Sequence, residues 1–429
     1  MFVFDARGLV LHSKCFLVLG FVTILLLVTR VRHTYSPSTP LYWTQAVVVE
    51  SRQRSNSTWR WNPRRDANNL LLSQEQCSIA FPDLYAEIDD RVRQRTHNPV
   101  TLSEMDQLPA VNGFVRAMIY DQQLFVLATG GSIYSRGLAV LGQIHRAVIT
   151  SPEAIPNIEF TLSTDDRLPP SPRWAFARAK DDRVTWLMPD FGFWSWPETK
   201  VGSYSEVRRK AMAMELSHDN PSGVRWDWER KRERLLWRGA TMGLGVREEL
   251  VKVTANKPWA DVKSIDWHDA ESMRADLKRM DEHCQYKFLA HTEGNSYSGR
   301  LKYLQNCRSV IVSPPQGWVT HHSHLLESSG EKQNFVEVEK HWRNLEGVIN
   351  LLVANDTLAE MIASNNVETF RDRYLTPAAE TCYWRRLFHG WRNVSFEPEL
   401  DEKADVGMKW RGLPYESYIL ERRLEWDPY

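Results

Sequence analysis

Residues 284–312 read CQYKFLAHTEGNSYSGRLKYLQNCRSVIV, two apolar runs separated by a small, polar loop. The runs at 286–291 and 308–313 are short and apolar and lie on either side of Gly and Ser residues, which predicts two strands. Ser298 precedes a basic, helix-compatible segment, so it is a candidate N-cap. The stretch therefore predicts a strand, a helix and a second strand, the repeating unit of a parallel sheet.

The turn between these strands is a candidate anion site. A helix that begins after a strand presents free backbone N–H groups and a partial positive charge, which suit a phosphate, and ligands of open α/β sheets lie at this carboxyl edge. Arg300 lies in the first helical turn, where a cation opposes the helix dipole unless an anion is bound. The alternative is a solvated arginine on an ordinary connection. The candidate residues are Gly294, Asn295, Ser296, Ser298, Gly299 and Arg300.

A second basic turn lies in WRGATMGLGVREEL, residues 237–250. Arg238 ends a predicted strand, Gly239 begins a permissive glycine-bearing loop, and Arg247 opens the next predicted helix. Two basic turns of this kind in one half of the chain could converge on a diphosphate. The pattern GxxxxGK[ST] is absent, which excludes a P-loop.

Three acidic residues are candidate catalytic groups. Asp165 and Asp166 end the strand predicted in NIEFTLSTDD, where a carboxylate can be a general base, half of a metal pair, or only a turn or cap residue. Asp121 lies at a turn between two predicted strands, a common place for aspartate. The histidines of HHSH, residues 321–324, have no partner acid at a known metal spacing. They are predicted to be exposed or to face an acceptor, and no metal ligand is assigned.

Composition limits the function classes. The 54 basic residues balance 54 acidic ones, so there is no global field to hold a nucleic acid. A hydrophobic fraction of 42% over 429 residues suffices for two cores and excludes disorder of the whole chain. The five cysteines form no CxxC, and one or two disulfides among the last four are compatible with the sequence.

The N-terminus contains CFLVLGFVTILLLVT, an apolar run at 15–29 that predicts a transmembrane signal-anchor within residues 1–32. The alternative is a cleaved signal peptide, but the residues after the run lack a small-x-small cleavage pattern. Sequons at Asn56, Asn355 and Asn393 all follow the run. Together they predict a single-pass type II protein of the endoplasmic reticulum or Golgi membrane with a lumenal body.

Periodicity predicts an α/β fold with a largely parallel sheet, because apolar strand patterns alternate with helical ones. Residues 33–76 are polar and predict a stem. Two α/β halves with a cleft between them are expected at 77–200 and 201–395, followed by a C-terminal extension at 396–429. The aromatic segment MPDFGFWSWPE, 188–198, predicts a loop or a wall of the cleft.

The quoted segments, together with MIYDQQLFVLATGG, SRGLAVLGQIHRAV and the terminal TCYW, resemble glycosyltransferase family 90 in this order. That family includes Rumi-type protein O-glucosyltransferases and fungal capsule-associated xylosyltransferases, and the resemblance is closest to the fungal branch. It implies a GT-B fold of two Rossmann-like domains. It also implies inverting transfer of xylose or glucose from a UDP-sugar to a hydroxyl of a glycan or glycoprotein.

The resemblance assigns roles to residues that match the family motifs. The phosphate-binding arginines match Arg238 and Arg300, and the second acid of the family's site matches Asp166. Members of the donor loop match Gly294, Ser296 and Ser298. No cofactor besides the donor is required by this resemblance, although an Asp-Asp pair could hold Mn²⁺.

One departure concerns the base. The glucosyltransferase branch has an aspartate near the position of Gly130, and this chain has none there. The base is then expected to be Asp166 first, with Asp165 or Asp121 behind it. The alternative is a catalytically inactive nucleotide-sugar or glycan-binding protein of the same fold.

Overall fold

A computed structural model describes residues 59–218, 220, 222–404, 407–422 and 424. The predicted signal-anchor at 1–32 and most of the predicted stem lie outside these residues. No helix within the described ranges is long and apolar enough to span a bilayer.

The strands and helices are numbered in chain order. The strands are β1 Phe114–Tyr120, β2 Gln123–Gly130, β3 Ile158–Ser163, β4 Trp174–Ala175, β5 Arg178–Ala179, β6 Trp186–Leu187, β7 Ser195–Trp196, β8 Val201–Ser203, β9 Arg232–Gly239, β10 Ala260–Ser264, β11 Tyr286–Ala290, β12 Val310–Ser313, β13 Trp318–Val319, β14 Val336–Glu337, β15 Asp401–Lys403, β16 Met408–Trp410 and β17 Leu413–Pro414. The α-helices are α1 Pro63–Asp66, α2 Gln74–Ala80, α3 Ala86–Arg95, α4 Leu102–Asp106, α5 Tyr134–Ile149, α6 Tyr204–Leu216, α7 Gly245–Thr254, α8 Ala270–Asp276, α9 Leu301–Leu304, α10 Leu345–Ala354, α11 Asp356–Thr369, α12 Pro377–Arg392 and α13 Tyr415–Glu421.

The first sheet has the order β17-β2-β1-β3-β4-β6. Strands β1 and β2 form an antiparallel hairpin whose turn, Asp121 and Gln122, has φ angles of 45° and 63°. Strand β3 is also antiparallel to β1, whereas β4 and β6 continue in parallel. The prediction of a largely parallel sheet is therefore wrong for this half, because a two-residue connection can only join antiparallel strands.

The second sheet has the order β10-β9-β11-β12-β14, and every pair in it is parallel. The two strands predicted from residues 284–312 are its adjacent members β11 and β12, both completely buried. Counted within the sheet, the order is 2-1-3-4-5, the flavodoxin-like arrangement. In that arrangement the chain reverses direction across the sheet between the first and third strands, here β9 and β11.

Helix α12 differs from its predicted place in the second half. Its tryptophans fill the core around the first sheet: Trp391 donates its indole N–H to the carbonyl of Glu159 at 2.8 Å, and Trp384 donates to Gln143. A disulfide joins Cys77 in α2 to Cys382 in α12. The range 201–395 therefore does not pack as one unit, because burial of these indoles draws residues 377–392 onto the first core.

The predicted stem is too long at its C-terminal end. Asp66 and Leu72 are buried, and Trp59 and Trp61 pack against the first core. Arg385 in α12 donates hydrogen bonds to the carbonyls of residues 70 and 72. Residues 59–76 thus belong to the folded body, since their backbone carbonyls complete the hydrogen bonding of a buried arginine.

Candidate active site

Ligands of flavodoxin-like sheets bind at the carboxyl edge, beside the point where the strand order reverses. At that point Gly239 ends β9, and the loop 291–300 follows β11. The second disulfide, Cys284–Cys307, joins a position two residues before β11 to the chain that leads into β12. The fold therefore brings together the two basic turns that the sequence predicted to converge.

Arg300 lies at the centre of this edge. Its guanidinium lies over the ring of Trp237 at 5.6 Å from the centroid, and a Cβ at Gly239 would be 2.6 Å from its Nη2. Burial lowers the pKa of Arg300 to about 9, and the charge of Arg247 acts in the same direction. Within the described residues no carboxylate or carbonyl pairs with this guanidinium. A half-buried, unpaired cation favours a bound anion.

Arg238 has a different environment from its predicted partner. Its Nη2 lies 2.6 Å from the carboxylate of Asp261, and its Nε donates to the carbonyl of Asp276 at 2.8 Å. Its Nη1 donates to two further carbonyls, of Trp237 and Asp261. Four of its five N–H donors are thus used within the protein. A direct contact between Arg238 and a phosphate stays a prediction.

Arg247 fastens the two turns to each other. Its Nη1 donates to the carbonyl of Ala240 at 2.8 Å, while its Nε donates to the hydroxyl of Thr292 and to the carbonyl of Glu293. Burial lowers the pKa of this buried guanidinium. A Cβ at Gly294 would lie 3.4 Å from its Nη2. Arg247 therefore fixes the shape of the site and leaves Arg300 as the arginine of these two turns that has no hydrogen-bond partner in the described part of the chain.

The loop 294–299 differs in detail from the prediction. Ser298 does not cap a helix: α9 contains only four residues and has no side-chain cap, so a helix dipole contributes little here. The hydroxyl of Ser296 is buried and has no hydrogen-bond partner among the described residues. Asn295 offers its carbonyl to Arg167, which follows the acid pair directly. The loop thus connects the two halves of the site.

The acid pair lies on the other side of this contact. Arg136 Nη1 binds Asp166 Oδ1 at 3.1 Å and lies 4.7 Å over the ring of Phe191. Burial and the neighbouring charge of Asp166 raise the pKa of Asp165. Burial, followed by the charges of Asp190 and Asp166, raises the pKa of Tyr297 well above its usual range. The two carboxylates therefore differ in environment: the pKa of Asp165 is raised, and Asp166 is paired to an arginine.

Asp121 does not join this site. In the register of the first sheet Phe114 pairs with Ser163 and Ile119 with Ile158, so the two ends of β3 are separated by the length of a strand. Asp121 follows β1 at the far end, where its backbone N–H donates to Asn157. Asp165 and Asp166 follow the other end. Asp121 is the one predicted carboxylate that the fold sets apart.

The structure explains why position 130 carries no carboxylate: the backbone of a neighbouring segment occupies the space of a side chain. A Cβ there would lie 2.2 Å from the carbonyl oxygen of Val111 and 2.4 Å from that of Ala110. Both neighbours are backbone atoms, which move only with the segment that carries them. Position 130 has no room for any side chain in this conformation, so a base must come from elsewhere.

Sequence inspection missed a buried ion pair between the two halves. Lys302 Nζ lies 2.8 Å from Asp190 Oδ1 and donates to the carbonyl of Gly299 at 2.6 Å. Tyr303 donates its hydroxyl to the carbonyl of Gly192 at 2.9 Å. The signals were present, since Asp190 belongs to the predicted cleft wall and Lys302 follows Arg300 by two residues. This contact holds the loop 294–299 against the aromatic segment 188–198.

Two cavities adjoin the site. One, of about 340 Å³, lies below Arg300. Its lining includes Trp196, Val201, Ile265, Trp267, Leu277 and Arg238. The other, of about 290 Å³, lies beside Asp165 and Asp166.

The histidines at 321 and 322 are buried, which corrects the prediction that they are exposed or face an acceptor. His321 packs on Phe193 and Tyr383, and His322 on Phe370. Burial lowers the pKa of His322 to about 3 and that of His321 well below its usual value. They fill space between aromatic rings of the first core. No group of three metal-binding side chains was found in the described part of the chain.

Comparisons with known proteins found a matching family model and several relatives. The family model described as Glycosyl transferase family 90 matches residues 73–406. An O-glucosyltransferase rumi homolog of Aedes aegypti is 26% identical over 238 residues, 52% of this chain and 56% of that protein. Protein O-glucosyltransferase 1 of Mus musculus is 24% identical over 274 residues, 58% of this chain and 63% of that protein. The chain thus spans about six-tenths of the length of these relatives.

Among solved structures, the C-terminal domain of a glycosyl transferase group 1 family protein of Francisella tularensis aligns with 32% of this chain and 82% of that domain. The TM-score is 0.23 and the sequence identity 12%.

Proposed function

Because the chain belongs to glycosyltransferase family 90, we propose that it transfers a sugar from a UDP-sugar to an acceptor hydroxyl, with inversion at the anomeric carbon. The observation that carries the proposal is the loop 291–300. It ends at Arg300, which has no ion-pair partner among residues the structure describes, and through Asn295 it contacts the segment that bears Asp165 and Asp166. The loop that carries a cation for a leaving diphosphate thus contacts the segment that carries a base for an incoming hydroxyl.

The donor is proposed to bind at the edge between β9 and β11. Its diphosphate would contact Arg300. The guanidinium of this arginine lies close to the backbone at Gly239, because that residue has no side chain. The nucleoside would occupy the 340 Å³ cavity, in which Trp196 and Trp267 offer aromatic faces. Two α/β halves that meet at such a cleft support a GT-B-like arrangement.

The proposed reaction is a single displacement. The acceptor hydroxyl attacks the anomeric carbon as its proton passes to Asp165, and the bond from that carbon to the diphosphate oxygen breaks. General base catalysis of this kind contributes about 10²–10⁴-fold. Arg300 stabilises the negative charge that grows on the departing UDP. Arg136 holds Asp166 beside the base and keeps Asp165 from a larger rise in pKa.

Glucose and xylose are both proposed as donor sugars. The relatives named above are O-glucosyltransferases by title, which supports glucose and a protein acceptor. The resemblance to the fungal branch supports xylose and a glycan. Carboxylates such as Asp165 and Asp166 are of the type that binds Mn²⁺, so metal dependence belongs in the same assay.

A lumenal location in the endoplasmic reticulum or Golgi is proposed together with the N-terminal signal-anchor. Two disulfides support an oxidising compartment. The asparagines of the sequons at Asn355 and Asn393 are exposed on the folded body, which supports passage through a glycosylating compartment.

The test is UDP release by the full chain, offered UDP-glucose, UDP-xylose and other UDP-sugars in turn, with and without Mn²⁺. Release from one donor that disappears in Asp165→Asn or Arg300→Ala supports the proposal and identifies the sugar. UDP binding without release from any donor, over a broad panel of acceptors, would favour the non-catalytic binding protein. Absence of any UDP binding, measured as a thermal shift, would overturn both.

A further inference from the structure

Helix α7 carries Arg247, the arginine that fastens the two basic turns to each other. The beginning of this helix is weakly held by its own sequence. It starts at Gly245, and its N-cap residue, Leu244, makes no side-chain capping bond within the described part of the chain. An uncapped helix end is less stable than a capped one, and glycine is the most flexible residue. The position of Arg247 therefore depends on contacts from outside α7.

Trp342 supplies the main contact of this kind. Its indole N–H donates to the carbonyl of Val246 at 2.8 Å, one residue before Arg247, and only 1% of its surface is exposed. On the other side, His341 Nδ1 lies 2.6 Å from the carboxylate of Glu249, two residues after Arg247. Both partners of that second contact are exposed, so it adds little. The buried indole is thus the stronger hold on the first turn of α7.

The backbone that presents Trp342 has an unusual conformation. Its N–H donates to the carbonyl of Glu339 at 3.0 Å, which closes a four-residue turn. His341 and Trp342 are consecutive left-handed residues, with φ angles of 63° and 60°. A bulky residue such as tryptophan rarely adopts this region, and it does so only where surrounding contacts over-determine it. Burial in the second core and the bond to Val246 are such contacts.

Arg247 carries the position of α7 to the neighbouring turn. Its Nε donates to the hydroxyl of Thr292 and to the carbonyl of Glu293, the residues that begin the loop 291–300. Its charge is one of the causes that lower the pKa of Arg300, so the two guanidinium groups lie within electrostatic reach of each other. A displacement of the first turn of α7 therefore changes the surroundings of Arg300.

We propose that Trp342 is a positioning residue for the UDP-sugar donor; this inference rests on the function proposed above. Its indole fixes the first turn of α7, α7 fixes Arg247, and Arg247 fixes the loop 291–300. Trp342 does not line the cavity below Arg300, so it acts through other residues. A purely structural tryptophan would stabilise the fold without a specific effect on donor affinity. Strained backbone of the kind found here is concentrated at functional sites.

The test uses the full chain and measures the Kd for UDP by calorimetry beside the melting temperature. Trp342→Phe keeps an aromatic ring in the core and removes the N–H donor. The Kd should rise about fivefold, the effect of one ordinary hydrogen bond. Trp391→Phe is the matched control, because that indole makes the same kind of bond at the same length, 2.8 Å, to the carbonyl of Glu159 in the first core. It should lower the melting temperature comparably and leave the Kd unchanged.

A double-mutant cycle tests the path through Arg247. Arg247→Lys keeps the charge and loses the planar fork of donors. Adding Trp342→Phe to it should raise the Kd less than about twofold further, because residues that act through one another are not additive. His341→Gly is the second variant if Trp342→Phe fails to fold. Glycine adopts the left-handed conformation without strain, so the melting temperature should not fall, whereas the loosened turn should raise the Kd about twofold.

An unchanged Kd in Trp342→Phe, or in His341→Gly where the first variant does not fold, would overturn the positioning role while the transferase remains. Fully additive losses in the cycle, or an equal loss of UDP affinity in Trp391→Phe, would overturn it as well. A wild-type chain that binds no UDP would instead overturn the proposed function, and the inference with it.

Discussion

Arg300 lies against the backbone of Gly239, so closely that a Cβ at that glycine would be 2.6 Å from the guanidinium Nη2. The guanidinium can approach this closely only because residue 239 has no side chain. Gly239 in turn is held in place as the last residue of the strand β9. The sequence motif WRGA thus provides both the charge of Arg238 and, at Gly239, the space that the Arg300 guanidinium occupies.

Gly239→Ala should displace the Arg300 guanidinium and weaken UDP binding about tenfold or more, with a smaller effect on folding. The measurement is the Kd for UDP by calorimetry, beside the melting temperature. Gly245→Ala is the control, because a Cβ there meets nothing within 4 Å. Equal UDP affinity in the two variants would contradict the close contact.

Arg300→Ala should lower turnover about 10²–10³-fold, as expected for loss of charge stabilisation on a leaving group. The melting temperature without UDP should change little, since this guanidinium has no partner within the described residues. The UDP-induced rise in melting temperature should disappear. Wild-type turnover in this variant would remove Arg300 from the mechanism.

The pH profile should identify the base. The pKa of Asp165 is raised, so activity should fall on the acid side as this carboxylate becomes protonated, and Asp165→Asn should lose the reaction itself. Arg136→Met removes a charge that lowers this pKa, so the acid limb should move to higher pH. Asp121→Asn serves as the control. A profile unmoved in Arg136→Met would argue against Asp165.

Lys302→Met should destabilise the fold by about 3–5 kcal/mol, because it leaves the Asp190 carboxylate buried without its counter-ion. Only 1% of the Lys302 side chain is exposed. Urea unfolding measures the change, and Lys257→Met is the control because its pair with Glu346 is exposed and contributes about 0–1 kcal/mol. Comparable losses in both variants would contradict the buried role.

Acid should destabilise the protein through its buried histidines. Burial, followed by the charge of Arg300, lowers the pKa of His291 to about 3, and burial lowers that of His322 to about 3. Below about pH 6.5 the unfolded chain takes up protons that the folded chain does not, so the free energy of unfolding falls as pH drops toward 4. His322→Phe should flatten this dependence in urea titrations, whereas exposed His97→Gln should not.

The sequence alone was sufficient to predict those features of the structure that local residue patterns determine. The adjacent strands of 284–312, the hairpin turned at Asp121, and the cluster around Arg300 all follow from periodicity, turn residues and charge placement. These features depend on neighbours within about thirty residues, which is the range that such patterns describe.

The rest depends on partners far apart in sequence. Nothing near Arg238 indicates that Asp261 will hold it, and the predicted cleft wall does not by itself pair Asp190 with a lysine 112 residues away. The burial of His322 depends likewise on Phe370, which directly follows α11. Each of these contacts forms through tertiary packing. In a single sequence the two partners are far apart, and nothing shows that they will meet.

The return of α12 to the first core has a consequence for the order of synthesis. Trp384 and Trp391 pack against residues that are translated some two hundred positions earlier, including Trp174. The half that emerges first from the ribosome is therefore completed last, after the parallel sheet has had time to form. Until residue 391 arrives, the nascent first sheet exposes an apolar face that chaperones can recognise, and a chain truncated before α12 would keep that face open.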